Sequence, residues 1–230
     1  MESLRPRIAA VIPVLDEEGA IGAVIGAIPR AWVDEIIVVD GGSRDGTAEA
    51  ARDAGARVLV EMRRGYGRAC AKGAEAAIAG GAGILVFLDG DGGDRPEAIP
   101  QLLEPIFAGE CDFVVGARVA ATIGAHQAFA GRSIGALVGL LYGVRYTDMC
   151  AFRAIRADAF LGLGMRETTY GWNLEMQMRA ARARLRIREV GVPPGRRLAG
   201  RAKVAGTLSG SLKAGWRILA TFARIARERG

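Results

Sequence analysis

Leu85-Val86-Phe87-Leu88-Asp89-Gly90-Asp91-Gly92-Gly93-Asp94 is an apolar run that stops at two carboxylates one residue apart. The run has the composition of a buried strand, and the glycines behind it let the backbone turn sharply and a ligand come close. Carboxylates at the end of a buried strand are costly to desolvate unless a positive group sits beside them. One solution is a hard divalent cation, Mg²⁺ or Mn²⁺, held by Asp89 and Asp91 and holding phosphate oxygens in turn. The other is a solvated turn in which the two aspartates cap the next helix. Asp94, ahead of Arg95 and Pro96, reads as a helix cap.

Outward from this point, strand and helix signals alternate. Arg7–Val14, Glu35–Asp40, Arg57–Val60, Ile84–Leu88 and Asp112–Gly116 read as strands, and Asp16–Ile28, Thr47–Ala54, Gly67–Ile78 and Pro96–Phe107 as helices. This alternation predicts βαβ units, an α/β fold with a mainly parallel sheet flanked by helices. Ligands on such sheets bind at the carboxyl ends of strands. Asp40, Asp89 and Asp91 all fall at such ends, and their convergence weighs more than any one of them. Further on, Arg132–Tyr142, Trp172–Arg182 and Leu208–Arg227 read as helices. Phe152–Ile155 and Leu185–Val190 read as strands, and Pro193–Lys203 as a loop.

The chain has 230 residues, half of them hydrophobic, so one large α/β domain can bury a substantial core. Its net charge is +6, and the excess gathers between Arg179 and Arg229. That suits nucleotide phosphates or an acidic membrane surface. The basic tail also permits nucleic acid, but without a metal the paired aspartates would repel its backbone, so no nucleic-acid partner is expected. Cys70, Cys111 and Cys150 lack metal-type spacing, which predicts a reduced, cytoplasmic chain. The first seven residues do not read as a signal peptide, and the longest apolar stretch, Ile134–Val144, is too short to span a bilayer. His126 is the one histidine, and no Ser/His/Asp or Cys/His nucleophile system is evident. No glycine-rich fingerprint follows the first strand, which argues against a dinucleotide-binding oxidoreductase.

Asp40, followed by Gly41-Gly42-Ser43, can accept hydrogen bonds from a base or a ribose; Ser43 or Asp45 is better placed to cap the next helix. Arg63, Arg64 and Arg68 lie on a glycine-hinged loop that reads equally as a phosphate-binding or a solvated turn. Arg196, Arg197, Arg201 and Lys203 form a basic loop able to close over a diphosphate, or simply a basic surface. Leu212, Trp216, Leu219, Phe222 and Ala226 make an apolar stripe on a basic C-terminal helix, which packs on the domain or lies on an anionic membrane.

Several stretches together resemble the family 2 glycosyltransferases, especially the polyprenyl- and dolichyl-phosphate sugar transferases. They are Val11–Glu18, Val38–Thr47, Leu88–Gly92, Val115–Arg118, Asp148–Arg153, Tyr170–Glu175 and Gly200–Val204, in the family's order. The resemblance implies a GT-A (Rossmann-like) fold over residues 1–207, with a nucleotide-binding part at 1–118 and an acceptor-side part at 119–207. The basic amphipathic helix would occupy 208–230. It implies transfer of a hexose, with inversion, from a UDP- or GDP-sugar to a polyprenyl or dolichyl phosphate; a soluble hydroxyl acceptor, or sugar-nucleotide binding without catalysis, are the alternatives. Pro13, Asp16, Glu17 and Asp40 would line the nucleotide pocket. Asp91 would bind Mg²⁺ or Mn²⁺, and Asp89 would lie near the ribose or the metal. Arg118 and Arg132 would lie near donor or acceptor phosphates, with Glu175 facing the acceptor. Arg201 and Lys203 would close on the diphosphate. A hydroxyl acceptor would need Asp148 or Glu175 as its base. The protein would be cytoplasmic, with peripheral contact on the inner membrane face and homo-oligomers as further options. At Gly41, Gly93 and Ala151 the chain departs from the family's usual residues.

Overall fold

A computed structural model of the protein describes residues 5–118, 135–144, 146–199 and 220–228. Arg132, Arg201, Lys203 and His126 lie outside the described residues. The elements are β1 (Ile8–Val14), α1 (Glu18–Gly26), β2 (Glu35–Asp40), α2 (Thr47–Asp53), β3 (Arg57–Val60), α3 (Tyr66–Ala79) and β4 (Ile84–Phe87). A short 3₁₀ turn at Pro96–Ala98 leads into α4 (Ile99–Phe107) and β5 (Phe113–Arg118). Then come α5 (residues 135–142), β6 (Arg153–Arg156), α6 (Ala157–Leu163), α7 (Trp172–Arg182), β7 (Ile187–Val192) and α8 (residues 220–227). Among the described residues, no helix is long and apolar enough to cross a membrane.

The strands form one seven-stranded sheet in the order β3-β2-β1-β4-β6-β5-β7. All neighbours pair parallel except β6, which runs antiparallel to both β4 and β5. β1 shows why its sequence is continuously apolar: both faces are covered. Ile8, Ala10 and Ile12 pack into the core under α1 and α4, while Ala9 and Val11 pack into the core under α3 and α7. The α/β architecture and mainly parallel sheet agree with the expectation from sequence. Two features were not anticipated. α6 follows β6 without a loop and ends at Gly164, which is left-handed at φ 58°. The antiparallel direction of β6 has no local signature, because β-pairing direction is a tertiary property.

From β1 the chain passes to β2 and β3 on one side and then returns to β4 on the other. The carboxyl ends of β1 and β4 therefore flank the point where strand order reverses, the usual place for a ligand in an open α/β sheet.

Candidate active site

The β1 and β2 ends form one wall. Asp16 takes a left-handed backbone at φ 48°. Its N–H donates to Ser43 Oγ at 2.8 Å, and its Oδ1 accepts the Arg44 N–H at 2.8 Å. The Glu17 N–H donates to Thr47 Oγ1 at 2.8 Å. Asp40 is buried at the end of β2, where Oδ1 accepts the Ser43 N–H at 2.9 Å and its hydroxyl at 2.5 Å. Asp40 thus braces its own glycine turn, and Asp45 receives the first N–H of α2, from Thr47 at 3.1 Å. Pro13 sits in β1 opposite Val39, partly exposed. On the loop after β3, Glu61 Oε1 accepts the Arg63 Nε–H at 3.0 Å and Oε2 the Nη2–H at 3.1 Å, so this arginine is occupied locally.

The carboxylate corner after β4 forms the other wall. The Tyr66 hydroxyl donates to Asp89 Oδ1 at 3.2 Å, and the Asp89 N–H donates to Asp94 Oδ2 at 2.9 Å. Cys150 donates its S–H to the other oxygen of Asp94 at 3.3 Å. Asp94 is buried and ties two loops together; the 3₁₀ turn at Pro96 has no side-chain cap, so the reading of Asp94 as a helix cap is corrected. A cap accepts the free N–H groups of the first turn of the helix that follows, whereas both oxygens of Asp94 are taken by the Asp89 N–H and the Cys150 S–H. Burial, and then the charges of Asp94 and Asp91, push the Asp89 carboxyl up to about 7. Burial raises Asp94 as well.

A strap, Pro193–Ala199, lies across this corner. The Leu198 N–H donates to Asp91 O at 2.9 Å and the Gly195 N–H to Gly93 O at 3.1 Å. Gly92 makes the close approach possible: it is left-handed at φ 84°, and a Cβ there would stand 2.6 Å from Leu198 Cγ. Arg197 brings its guanidinium onto Asp91 Oδ2, and its other nitrogen lies 3.5 Å from Glu17 Oε1. The sequence marked this segment as basic but gave no sign that Arg197 meets the Asp89–Asp91 turn.

Among the described residues no three His, Cys, Asp or Glu side chains converge to enclose a metal ion. Asp89 and Asp91 nevertheless fit a hard cation. They supply oxygen donors, burial and then the neighbouring carboxylates Asp94 and Asp91 raise Asp89, and a guanidinium already seats itself on Asp91. The remaining ligands would be water and phosphate oxygens.

The other carboxylates picked out from sequence are fully engaged. Asp148 is buried and accepts the Arg118 Nε–H at 2.8 Å, Nη2–H at 2.9 Å and backbone N–H at 3.1 Å. Burial alone would raise this carboxyl, but the Arg118 guanidinium holds it below its usual value. Glu175 has no exposed surface. Its Oε2 accepts the backbone N–H groups of Arg166 at 2.9 Å and Glu167 at 2.5 Å. Its Oε1 accepts Arg179 Nε–H at 3.0 Å and Arg224 Nη2–H at 3.1 Å.

Arg224 belongs to α8, so the described turn of the C-terminal helix docks on α7. Thr221 and Ile225 are buried there, while Ala226, placed on the apolar stripe by its spacing, is exposed. Residues 208–219 of that predicted helix lie outside the described residues. The sequence also gave no role to Tyr66 or to the wholly buried Arg153. Arg153 donates to the carbonyls of Ala151 at 3.1 Å and Asn173 at 3.2 Å, and to that of Cys150. It staples the Asp148–Cys150 loop to α7. A cationic residue inside an apolar strand was the available clue.

Residues 9–163 match the family described as Glycosyl transferase family 2. The chain is 34% identical over 209 residues to an uncharacterized glycosyltransferase of Mycobacterium tuberculosis, covering 89% of this chain and 93% of the relative. It is 30% identical over 220 residues to an undecaprenyl-phosphate mannosyltransferase of Micrococcus luteus, covering 89% and 90%. Its fold is similar to that of glucosyl-3-phosphoglycerate synthase from M. tuberculosis, crystallised with Mn²⁺, UDP-glucose and phosphoglyceric acid. The TM-score is 0.80 at 24% identity, over 98% of this chain and 81% of that one.

Proposed function

The chain belongs to glycosyl transferase family 2, and from that premise we propose that it transfers a hexose, with inversion, from a UDP- or GDP-sugar to a polyprenyl phosphate. The observation that carries the acceptor class is the engagement of Asp148 and Glu175. An acceptor hydroxyl needs a base to take its proton, and both carboxylates the sequence offers for that task are saturated by arginine and backbone donors. A phosphate monoester is already anionic and attacks without a base. The M. luteus relative, named for a polyprenyl-phosphate acceptor, supports the same reading.

Pro13, Asp16, Glu17 and Asp40 would shape the nucleotide wall, with Asp16 and Asp40 held by Ser43. Asp89 and Asp91 would hold Mg²⁺ or Mn²⁺, which when bound neutralises charge on the leaving diphosphate. Tyr66 and Asp94 fix Asp89. Asp148 holds Arg118 in place, and Arg118 would meet phosphate oxygens, a task that suits a rigid guanidinium fork. Arg132, Arg201 and Lys203 would complete the cationic surround. Residues 1–207 would form the catalytic unit. Contact with an anionic membrane is supported by the exposed Leu137, Leu140 and Leu141 on α5 and by the basic excess of the chain. Residues 208–230 would add to that contact.

The similarity in fold to glucosyl-3-phosphoglycerate synthase supports a second reading, transfer to a small phosphorylated acceptor. The test is to incubate the full chain with a panel of UDP- and GDP-sugars and Mn²⁺, offering undecaprenyl phosphate or phosphoglycerate. Glycosylated lipid phosphate is the expected product. Product on phosphoglycerate alone would replace the acceptor, and no nucleoside diphosphate with either would end the transferase reading.

A further inference from the structure

Arg197 does something that neither the nucleotide wall nor the acceptor argument requires. Its guanidinium sits on Asp91 Oδ2 with Glu17 Oε1 on its far side, in a crowd of carboxylates that also includes Asp89 and Asp94. The strap that carries it is bonded to the same turn through its backbone, Leu198 N–H to Asp91 O and Gly195 N–H to Gly93 O. Arg95 Nε adds a longer contact to Pro194 O at 3.4 Å. Side-chain charge and backbone bonds therefore act on one short segment. A divalent cation on Asp91 and a guanidinium on the same carboxylate repel each other at contact distance.

We propose that Arg197 is the resident counter-cation of the carboxylate corner, and that a divalent metal exchanges with it on Asp91 and so loosens the Pro193–Ala199 strap. The inference rests on Asp91 being a metal ligand. Metal affinity is set against the Arg197 contact, and strap anchorage against metal occupancy; the two are one coupling seen from two sites. Arg197 is a positioning residue here, because it acts through Asp91.

The experiment measures Mn²⁺ affinity of the full chain without donor, by the loss of free-Mn²⁺ paramagnetic resonance, together with amide hydrogen exchange across 193–199. Arg197→Gln should bind Mn²⁺ about threefold more tightly, the scale of a partly exposed ion pair. Arg197→Lys should stay close to wild type. Arg196→Gln removes the same charge from the exposed neighbour and should leave affinity unchanged, separating contact from net charge. In wild type, Mn²⁺ should speed exchange at the Leu198 and Gly195 amides. Equal or weaker Mn²⁺ binding by Arg197→Gln overturns the exchange, as does an equal gain in Arg196→Gln or a strap whose exchange Mn²⁺ leaves unchanged. Asp91→Asn distinguishes the premise: if it binds Mn²⁺ like wild type, the metal assignment fails and not merely the exchange.

Discussion

Asp89, Asp91 and Asp94 after β4, and Glu167, Glu175 and Glu228 beside α7, are two crowds of carboxylates on one sheet, neutralised to different degrees. Around Glu175 the arginines interlock. Arg179 reaches Glu175 at 3.0 Å and Glu228 at 3.1 Å, and Arg224 reaches Glu175 at 3.1 Å and Glu167 at 3.6 Å. At the β4 corner the ion pair is with Arg197, whose strap arrives from more than a hundred residues away, and Asp89 is pushed up to about 7. Buried charge that is matched in place serves packing. Charge left crowded at a strand end costs stability until a cation meets it, which is the place the proposed metal would take.

The sharpest way to break this contrast is Asp91→Ala. Sugar transfer, followed by nucleoside diphosphate release, should fall at least about a hundredfold, because charge stabilisation on the leaving group is lost. The melting temperature should hold. Undiminished turnover would move the metal elsewhere.

Glu175→Ala should do the reverse. Removing a fully buried carboxylate strips the Arg166 and Glu167 backbone N–H groups of their acceptor, leaves Arg179 and Arg224 with fewer partners, and should cost about 3–5 kcal/mol. In a chain of this length that is on the order of 10 °C in a thermal melt. An unchanged melt would mean that the Glu175 cluster does not hold α8 to α7.

A smaller effect depends on pH. An aspartate with its folded pKa raised to about 7 destabilises the fold once pH exceeds its unfolded value, increasingly until pH passes 7. Asp89→Asn removes that burden. In metal-free protein it should raise the melting temperature more at pH 8 than at pH 5, and Mn²⁺ should reduce the difference by stabilising wild type. An equal gain at both pH values would show that burial and the neighbouring carboxylates do not raise Asp89. The smallest effect is at the exposed Arg156–Asp158 pair, where Asp158→Asn should change stability by less than about 0.5 kcal/mol in a denaturant titration.

Much of the first half was legible because each of its strands is a short apolar run and each crossover a separate helix. Glu35–Asp40 and Arg57–Val60 appear with the bounds their composition suggested. The family resemblance, carried by seven short motifs, agrees with the match over residues 9–163. The second half was harder. α6 has seven residues, too few for two full turns of pattern, and follows β6 with no turn residues between. In α8 the spacing of Phe222 and Ala226 suggested one face; Phe222 does pack against the core, but the buried positions are Thr221 and Ile225, and Ala226 is exposed. Of the candidate site residues, Asp16, Asp40, Asp89 and Asp91 gather around the β1–β4 crevice, as strand-end positions in a parallel sheet must. Asp148 and Glu175 carried the same acidic label; the four-residue spacing of Glu175 and Arg179 on a predicted helix was the one local clue to an arginine partner, and Asp148 had none.

The sequence by itself determined the α/β alternation, the carboxylates at strand ends and the family, since these follow from periodicity, composition and short motifs that need no distant partner. Only the tertiary structure decided the direction of β6, the bracing of Asp89 by Tyr66 and Asp94, the saturation of Asp148 and Glu175, and the seat of Arg197 on Asp91. Each draws at least one partner from far along the chain, Tyr66 to Asp89, Arg118 to Asp148, Arg224 to Glu175 and Arg197 to Asp91, and the energy of a charge is set by everything that surrounds it in space and not by its sequence neighbours alone.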